Sequence, residues 1–217
     1  MNIKIFIFNP FMENTYLVWD NTKEAAIIDC GCLYKEEQVD LQNFIKENNL
    51  IVKCLINTHL HLDHQFGNAF AANAFGVLPK AHRSDEKLIE NLVSQAMIFG
   101  IPQKIEAQKL GGYIEDGDEI KFGNIALKAI HILGHSQGGL CFYSEKDKIL
   151  FSGDVLFAGS VGRTDLPGGN FEQLIESIKT KLLVLPEDTV VYSGHGGKTT
   201  IGTEKKNNPF LASSIRY

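Results

Sequence analysis

Apolar and polar positions alternate in short runs at the start of the chain. Residues 3–8, 15–19 and 25–29 read as strands, with Asn and Asp residues between them as turns require. The period then changes. Residues 34–48 read as an amphipathic helix with Val39, Phe44 and Ile45 on its apolar face. A buried strand starting near Ile51 ends over 54–57. Residues 66–75 read as helical. Residues 84–99 read as a second clear helix, with Ser84 as N-cap and Lys87 at N3, half a capping box. From Gly111 strands return: 125–132 alternates well, 140–143 and 148–151 are short, and 189–192 is the last. Residues 170–183 read as the final amphipathic helix, and the tail from Gly202 as polar.

Strands and a helix, a central helical stretch, then strands and a helix again suggest two related halves. No sequence repeat, low-complexity segment or long linker forces a boundary. One domain over residues 1–217, with helices packed on sheets, is the expected α/β architecture. A chain of this length buries roughly 70% of the surface its unfolded form exposes, so it needs no disulfide scaffold.

The formal net charge of −5 argues against a general nucleic-acid partner, and no window is polybasic. The first ten residues lack the long apolar core of a signal peptide. No apolar run approaches the roughly 20 residues of a membrane span. The expectations are a cytoplasmic location and no membrane partner. Cys30 and Cys32 form a C-x-C rather than the C-x₂-C of zinc ribbons. With Cys54 and Cys141 they read as buried thiols in a reducing compartment. The sequence does not set an oligomeric state.

The informative segment is Thr58-His59-Leu60-His61-Leu62-Asp63-His64, directly after the strand ending at Asn57. Extended residues two apart point to one side, so His59 and His61 can reach one ion together. Asp63 and His64 follow a change of direction and can address a second. Unpaired imidazoles and a carboxylate are costly to bury, and a metal removes that cost. His135, Asp154 and His195 each lie just past a strand with a glycine beside them. Strand-end loops on a rigid scaffold are where sites are built. A lone histidine is more often structural, and His82 and His131 are read so, with His131 able to hydrogen-bond near the site.

The H-x-H-x-D-H motif followed by separate His, Asp and His resembles the metallo-β-lactamase superfamily. The resemblance spans essentially the whole chain and implies an αβ/βα four-layer sandwich. It implies that His59, His61 and His135 hold one divalent ion, that Asp63, His64 and His195 hold another, and that Asp154 bridges them. Zinc is the first expectation for both, with iron or manganese as alternatives. An ion pair of this kind lowers the pKa of bound water to about 7 and stabilises a developing oxyanion.

The run from Asp154 to Asp165 and the run from Gly194 to Gly202, with Glu204 and Asn208-Pro209-Phe210, resemble the glyoxalase II (hydroxyacylglutathione hydrolase) branch, its short bacterial members above all. That implies hydrolysis of a small-molecule thioester such as S-D-lactoylglutathione by a metal-bridging hydroxide. Asp63 would orient the hydroxide and accept its proton. Arg163 resembles a basic residue near the glutathione carboxylate, where a guanidinium can pair bidentately; Lys198 and Lys205 are further candidates. The chain departs from that branch where a tyrosine is replaced by Asp165, and after the last motif, where the branch carries a helical region. Both departures weaken the expectation of tight glutathione binding and leave open a different thioester or a different thiol carrier. Persulfide dioxygenases, which use a single iron, share the fold, the ligand set and a run like Gly162-Arg163-Thr164-Asp165, and are the alternative enzyme class. A non-catalytic binding module is a third reading, which the full ligand set opposes. Lactonase, β-lactamase and nuclease activities have less local support.

Overall fold

The computed structural model describes residues 1–211. Two six-stranded sheets face each other. The first runs in order β1 (Asn2–Phe8), β2 (Glu13–Trp19), β3 (Glu24–Ile28), β4 (Ile51–Ile56), β5 (Pro79–Ala81) and β6 (Gly112–Tyr113). The second contains β7 (Glu119–Phe122), β8 (Ile125–His131), β9 (Leu140–Ser144), β10 (Ile149–Gly153), β13 (Val190–Ser193) and β14 (Thr199–Thr200), with β7 and β14 at its edges. A small hairpin, β11 (Leu156–Phe157) and β12 (Ser160–Val161), stands apart. The helices are α1 (Lys35–Glu47), α2 (Leu62–Gln65), α3 (Asn68–Phe75), α4 (Lys87–Ile98), α5 (Phe171–Ser177) and α6 (Ile201–Asn207).

The two-residue period of the strands builds the layers. Tyr16, Val18, Ala26 and Ile28 point between the sheets, where they meet Leu127, Ala129, Phe142 and Phe151. Leu17 and Ile27, one position along, point outward onto Leu41 and Ile45 of α1. On the far side Cys141, Leu150 and Val191 pack under Leu174, Ile178 and Leu182. The result is helix, sheet, sheet, helix, the sandwich that the resemblance implied.

Several details correct the sequence reading. Val39 is 38% exposed, and Leu41 fills its expected place on the buried face of α1. The stretch from 66 to 75 is preceded by a separate helix, α2, and begins only at Asn68. Ser84 does not cap α4: Arg83–Asp85 is a tight turn capped by His82, whose Nδ1 accepts from the Ser84 N–H at 3.3 Å, and Glu86 is the N-cap. Asp85 is drawn inward there by backbone donors, so the helix begins after it. The 170–183 helix is α5, capped by Asn170, followed by a π-helical turn, Ile178–Leu182. It is not the last helix, since α6 lies in the tail read as polar, where the Thr200 hydroxyl accepts from the Thr203 N–H at 3.1 Å. Cys30, Cys32 and Cys141 are buried thiols, but Cys54 is only partly covered. Among the described residues, no helix is long and apolar enough to cross a membrane.

Phe142 is fully buried between the sheets. Phe142→Ala is expected to lower stability by about 3–5 kcal/mol, read as a shift in the denaturant midpoint.

Candidate metal centre

Four chain segments leave their strands at one edge of the sandwich. Residues 57–64 follow β4, His135 follows β8, Asp154 follows β10, and His195 follows β13. The parallel pairing of β10 with β13 sends Asp154 and His195 out side by side. All seven side chains expected from the sequence converge there.

The first group is three imidazoles. His135 Nε2 lies 3.2 Å from His59 Nε2 and 2.9 Å from His61 Nδ1. Neighbouring acceptors set two of the tautomers. His135 Nδ1 faces the Arg163 carbonyl at 2.8 Å, and a carbonyl only accepts, so the proton sits on Nδ1. The Thr58 hydroxyl donates to Asp29 Oδ2 at 2.6 Å, which leaves its oxygen to accept from His59 Nδ1 at 3.1 Å. His59 and His135 therefore aim lone pairs at each other. Burial, reinforced by the surrounding imidazoles, keeps His59 well below its ordinary pKa and holds His61 down to about 3, so both are neutral. Facing lone pairs repel unless a cation lies between them. A tetrahedral ion with bonds of about 2.0–2.1 Å spaces its nitrogens by about 3.3 Å, close to the separations seen.

The second group adds carboxylates. Asp63 Oδ2 lies 3.1 Å from His195 Nε2 and 3.6 Å from His64 Nε2. The His195 Nδ1–H donates to the Phe11 carbonyl at 3.0 Å, which turns Nε2 inward. His64 is fully buried, and neither ring nitrogen has a hydrogen-bond partner. Asp29 Oδ2 is 3.2 Å from His64 Nδ1 without bonding alignment. Burial works against a charge on His64, but Asp63, Asp154 and Asp29 outweigh it and raise its pKa. Burial likewise opposes ionisation of Asp63 and Asp154, yet the imidazoles, His64 foremost, hold both below the usual carboxylate range.

Asp154 stands between the groups. Its Oδ1 is 3.4 Å from His64 Nε2, and its Oδ2 is 3.5 Å from His195 Nε2 and 3.8 Å from His135 Nε2. Oδ1 also has no hydrogen-bond partner. Two glycines make room. Gly153 has φ +50°, a turn that a side chain resists. A Cβ on Gly194 would strike Asp154 Oδ1 and the His64 ring. The orphaned atoms of His64 and Asp154, the neutral imidazoles of His59 and His61 and the ionised carboxylates together form a donor set that fits two divalent ions.

Residues that the sequence reading missed hold these donors. Asp85 is buried; its Oδ2 accepts from Leu60 N at 3.2 Å and its Oδ1 from Gly138 N at 2.6 Å, tying the His59–His61 segment to the His135 loop. Asn9 Nδ2 donates to the Asp63 carbonyl at 3.0 Å, and Asn57 Nδ2 to the His64 carbonyl at 2.8 Å. Glu13 is wholly buried beside Asp29 and His64, and burial raises its pKa well above the ordinary value. Glu13 at the head of β2 and Asp29 just past the end of β3 border apolar runs, the one signal the sequence offered for them. His82 and His131 stack on each other with ring centres 4.0 Å apart, outside the donor set, and His131 Nε2 donates to the Gln137 carbonyl at 2.9 Å.

A cavity of about 420 Å³ opens over Asp63, His135, Asp154 and His195. Arg163 lies on its wall, but Nε and Nη2 each donate to Asp165 at 2.7 Å. Lys198 and Lys205 do not line it; Lys198 is exposed, and Lys205 pairs with Glu187 at 3.7 Å.

Comparison with known proteins agrees with this geometry. Residues 8–195 match the family model described as metallo-beta-lactamase superfamily. The chain is 41% identical to the hydroxyacylglutathione hydrolase GloC of Haemophilus influenzae, over 98% of this chain and 99% of the relative. It superposes on the crystal structure of the BLEG-1 B3 metallo-beta-lactamase with TM-score 0.89 and 33% identity, covering 98% of this chain and all of the other. It superposes on TTHA1623 in a di-iron-bound form with TM-score 0.84 and 35% identity, covering 96% of this chain and all of the other.

Asp85→Ala is expected to weaken metal retention by about 10- to 100-fold, measured by competition against a chelator.

Proposed function

The chain belongs to the metallo-β-lactamase superfamily and is a metallo-hydrolase of that family; within it, we propose that this protein cleaves thioesters, S-D-lactoylglutathione or a related one. The observation that carries the reading is the opening of the shared donor set onto the cavity floor through Asp63 and Asp154. The full-length likeness to the Haemophilus influenzae hydroxyacylglutathione hydrolase supports it. In this reading residues 1–217 form one domain, of which 212–217 lie outside the described residues.

His59, His61 and His135 would hold one ion, Asp63, His64 and His195 the other, and Asp154 both. Zinc or iron fits these nitrogen and oxygen donors; a relative with 35% identity is described in a di-iron form. Bound there, the ions supply Lewis acidity and bring the pKa of water to about 7. The chain's own groups do the rest. Asp63, ionised at the cavity floor, orients the attacking water and takes its proton at a carboxylate oxygen. Water oxygen bonds to the carbonyl carbon, the C–S bond breaks, and the thiolate leaves with the bonding pair. A thiolate is a good leaving group and needs little help from an acid. The carbonyls of Arg163 and Phe11 fix His135 and His195 so that neither ring turns during the reaction. The free cysteines Cys30, Cys32, Cys54 and Cys141 support a cytoplasmic location.

The metal-loaded protein is expected to hydrolyse S-D-lactoylglutathione, to lose that activity on chelation, and to regain it with zinc or iron. Absence of turnover across a thioester panel with metal content verified overturns the reading. Asp154→Ala is expected to lose bound metal and to lower activity by about 100-fold or more, read by elemental analysis and thiol release on one sample.

A further inference from the structure

One wall of the cavity is set by α4 and the residue just beyond it. Leu88, Asn91, Gln95 and Phe99 follow one another at helical spacing and all line the cavity, while Ile89, Leu92 and Ala96 on the other face are buried. Phe11, Leu166 and Pro167 complete the apolar lining. The wall is already assembled: the Phe11 and Phe99 rings meet edge to face with centres 5.7 Å apart. Asn91 and Gln95 add neutral amides, and neither side chain is engaged in a hydrogen bond among the described residues.

Charge is what this wall lacks. Apart from the histidines of the donor set, Arg163 is the one cationic side chain lining the cavity among the described residues. Its guanidinium is already matched by Asp165, which the two hydrogen bonds hold ionised with a pKa of about 2. A peptide thiol with free carboxylates would bring anions to apolar side chains and uncharged amides. Each would lose hydration without gaining a partner.

We propose, on the basis of the thioesterase reading, that the preferred substrate of this site is a thioester of an uncharged, amide-bearing thiol carrying an apolar acyl group. Leu88, Phe11 and Phe99 take the acyl chain. Asn91 and Gln95 exchange hydrogen bonds with the amides of the thiol arm, each offering one acceptor and two donors. Arg163 stands on the cavity wall already paired with Asp165, so a carboxylate on the thiol is not selected for. The reaction is unchanged: water adds at the carbonyl carbon, and the neutral arm leaves as its thiolate. What changes is the source of binding energy, apolar contact and neutral hydrogen bonds rather than ion pairing.

Four substrates test this with the metal-loaded enzyme: lactoyl and hexanoyl thioesters, each of glutathione and of N-acetylcysteamine. Hexanoyl-N-acetylcysteamine is expected to exceed S-D-lactoylglutathione in kcat/KM by at least about tenfold, the size of discrimination that a few methylenes in an apolar pocket provide. Phe99→Ala is expected to lower the hexanoyl-to-lactoyl ratio by about tenfold; Phe99 is 54% exposed, so the variant should fold. Asp165→Ala frees Arg163 and is expected to shift the ratio toward the glutathione esters. A smaller preference, equal rates, or faster turnover of glutathione esters overturns the assignment and leaves the thioesterase reading standing. Turnover of none of the four, with metal content verified, overturns both.

Discussion

Neutral imidazole nitrogens aimed at one another in a buried site are the constraint on which the rest of this molecule depends. His59 and His135 have their protons fixed on the outward nitrogen by Thr58 and by the Arg163 carbonyl, so neither donates to the other's inner nitrogen. His64 has no hydrogen bond at all. Such an arrangement is unfavourable in a protein core unless cations complete it. Asp63 and Asp154 contribute the negative charge that would let two cations sit close together.

The sandwich exists, in functional terms, to hold that arrangement. Strands ending at one edge deliver donors from four loops, and side chains that never touch a reactant set their angles. Asp85, Asn9 and Asn57 pin backbone atoms of the donor segments rather than the donors themselves. Precision of this sort comes from rigid elements beneath the loops. The interleaved layer of Val18, Ile28, Leu127 and Phe142 provides that rigidity.

The donors were legible in the sequence for a local reason. His59 and His61 sit two apart at a strand end, and glycines flank the more distant His135, Asp154 and His195. Alternation of apolar residues likewise carried most strands, while the layer count came from the family resemblance. What held the donors in place was not legible. A main-chain carbonyl, such as that of Phe11 behind His195, has no residue identity to read. Asp85 sits in the polar run Ser84-Asp85-Glu86, where nothing marks it as inward-facing until Leu60 and Gly138 supply donors. The same unseen pull moved the start of α4 away from Ser84. Helix α6 escaped because its sequence, with Gly202 and two lysines, has little apolar periodicity to set against the cap at Thr200. The pairing of Arg163 with Asp165 joins loop residues two apart, which no periodicity encodes.

The turn after β1 supplies the carbonyl that orients His195, so the first hairpin and the last metal-facing loop complete one another. During synthesis the chain emerges N-terminus first. His59 and His61 leave the ribosome long before Asp154 and His195, and the hairpin that awaits His195 is older still. A nascent chain thus displays His59, His61, Asp63 and His64 before the other three donors exist. The full donor set exists only once the His195 loop has joined the sandwich, so metal binding and completion of the fold are coupled.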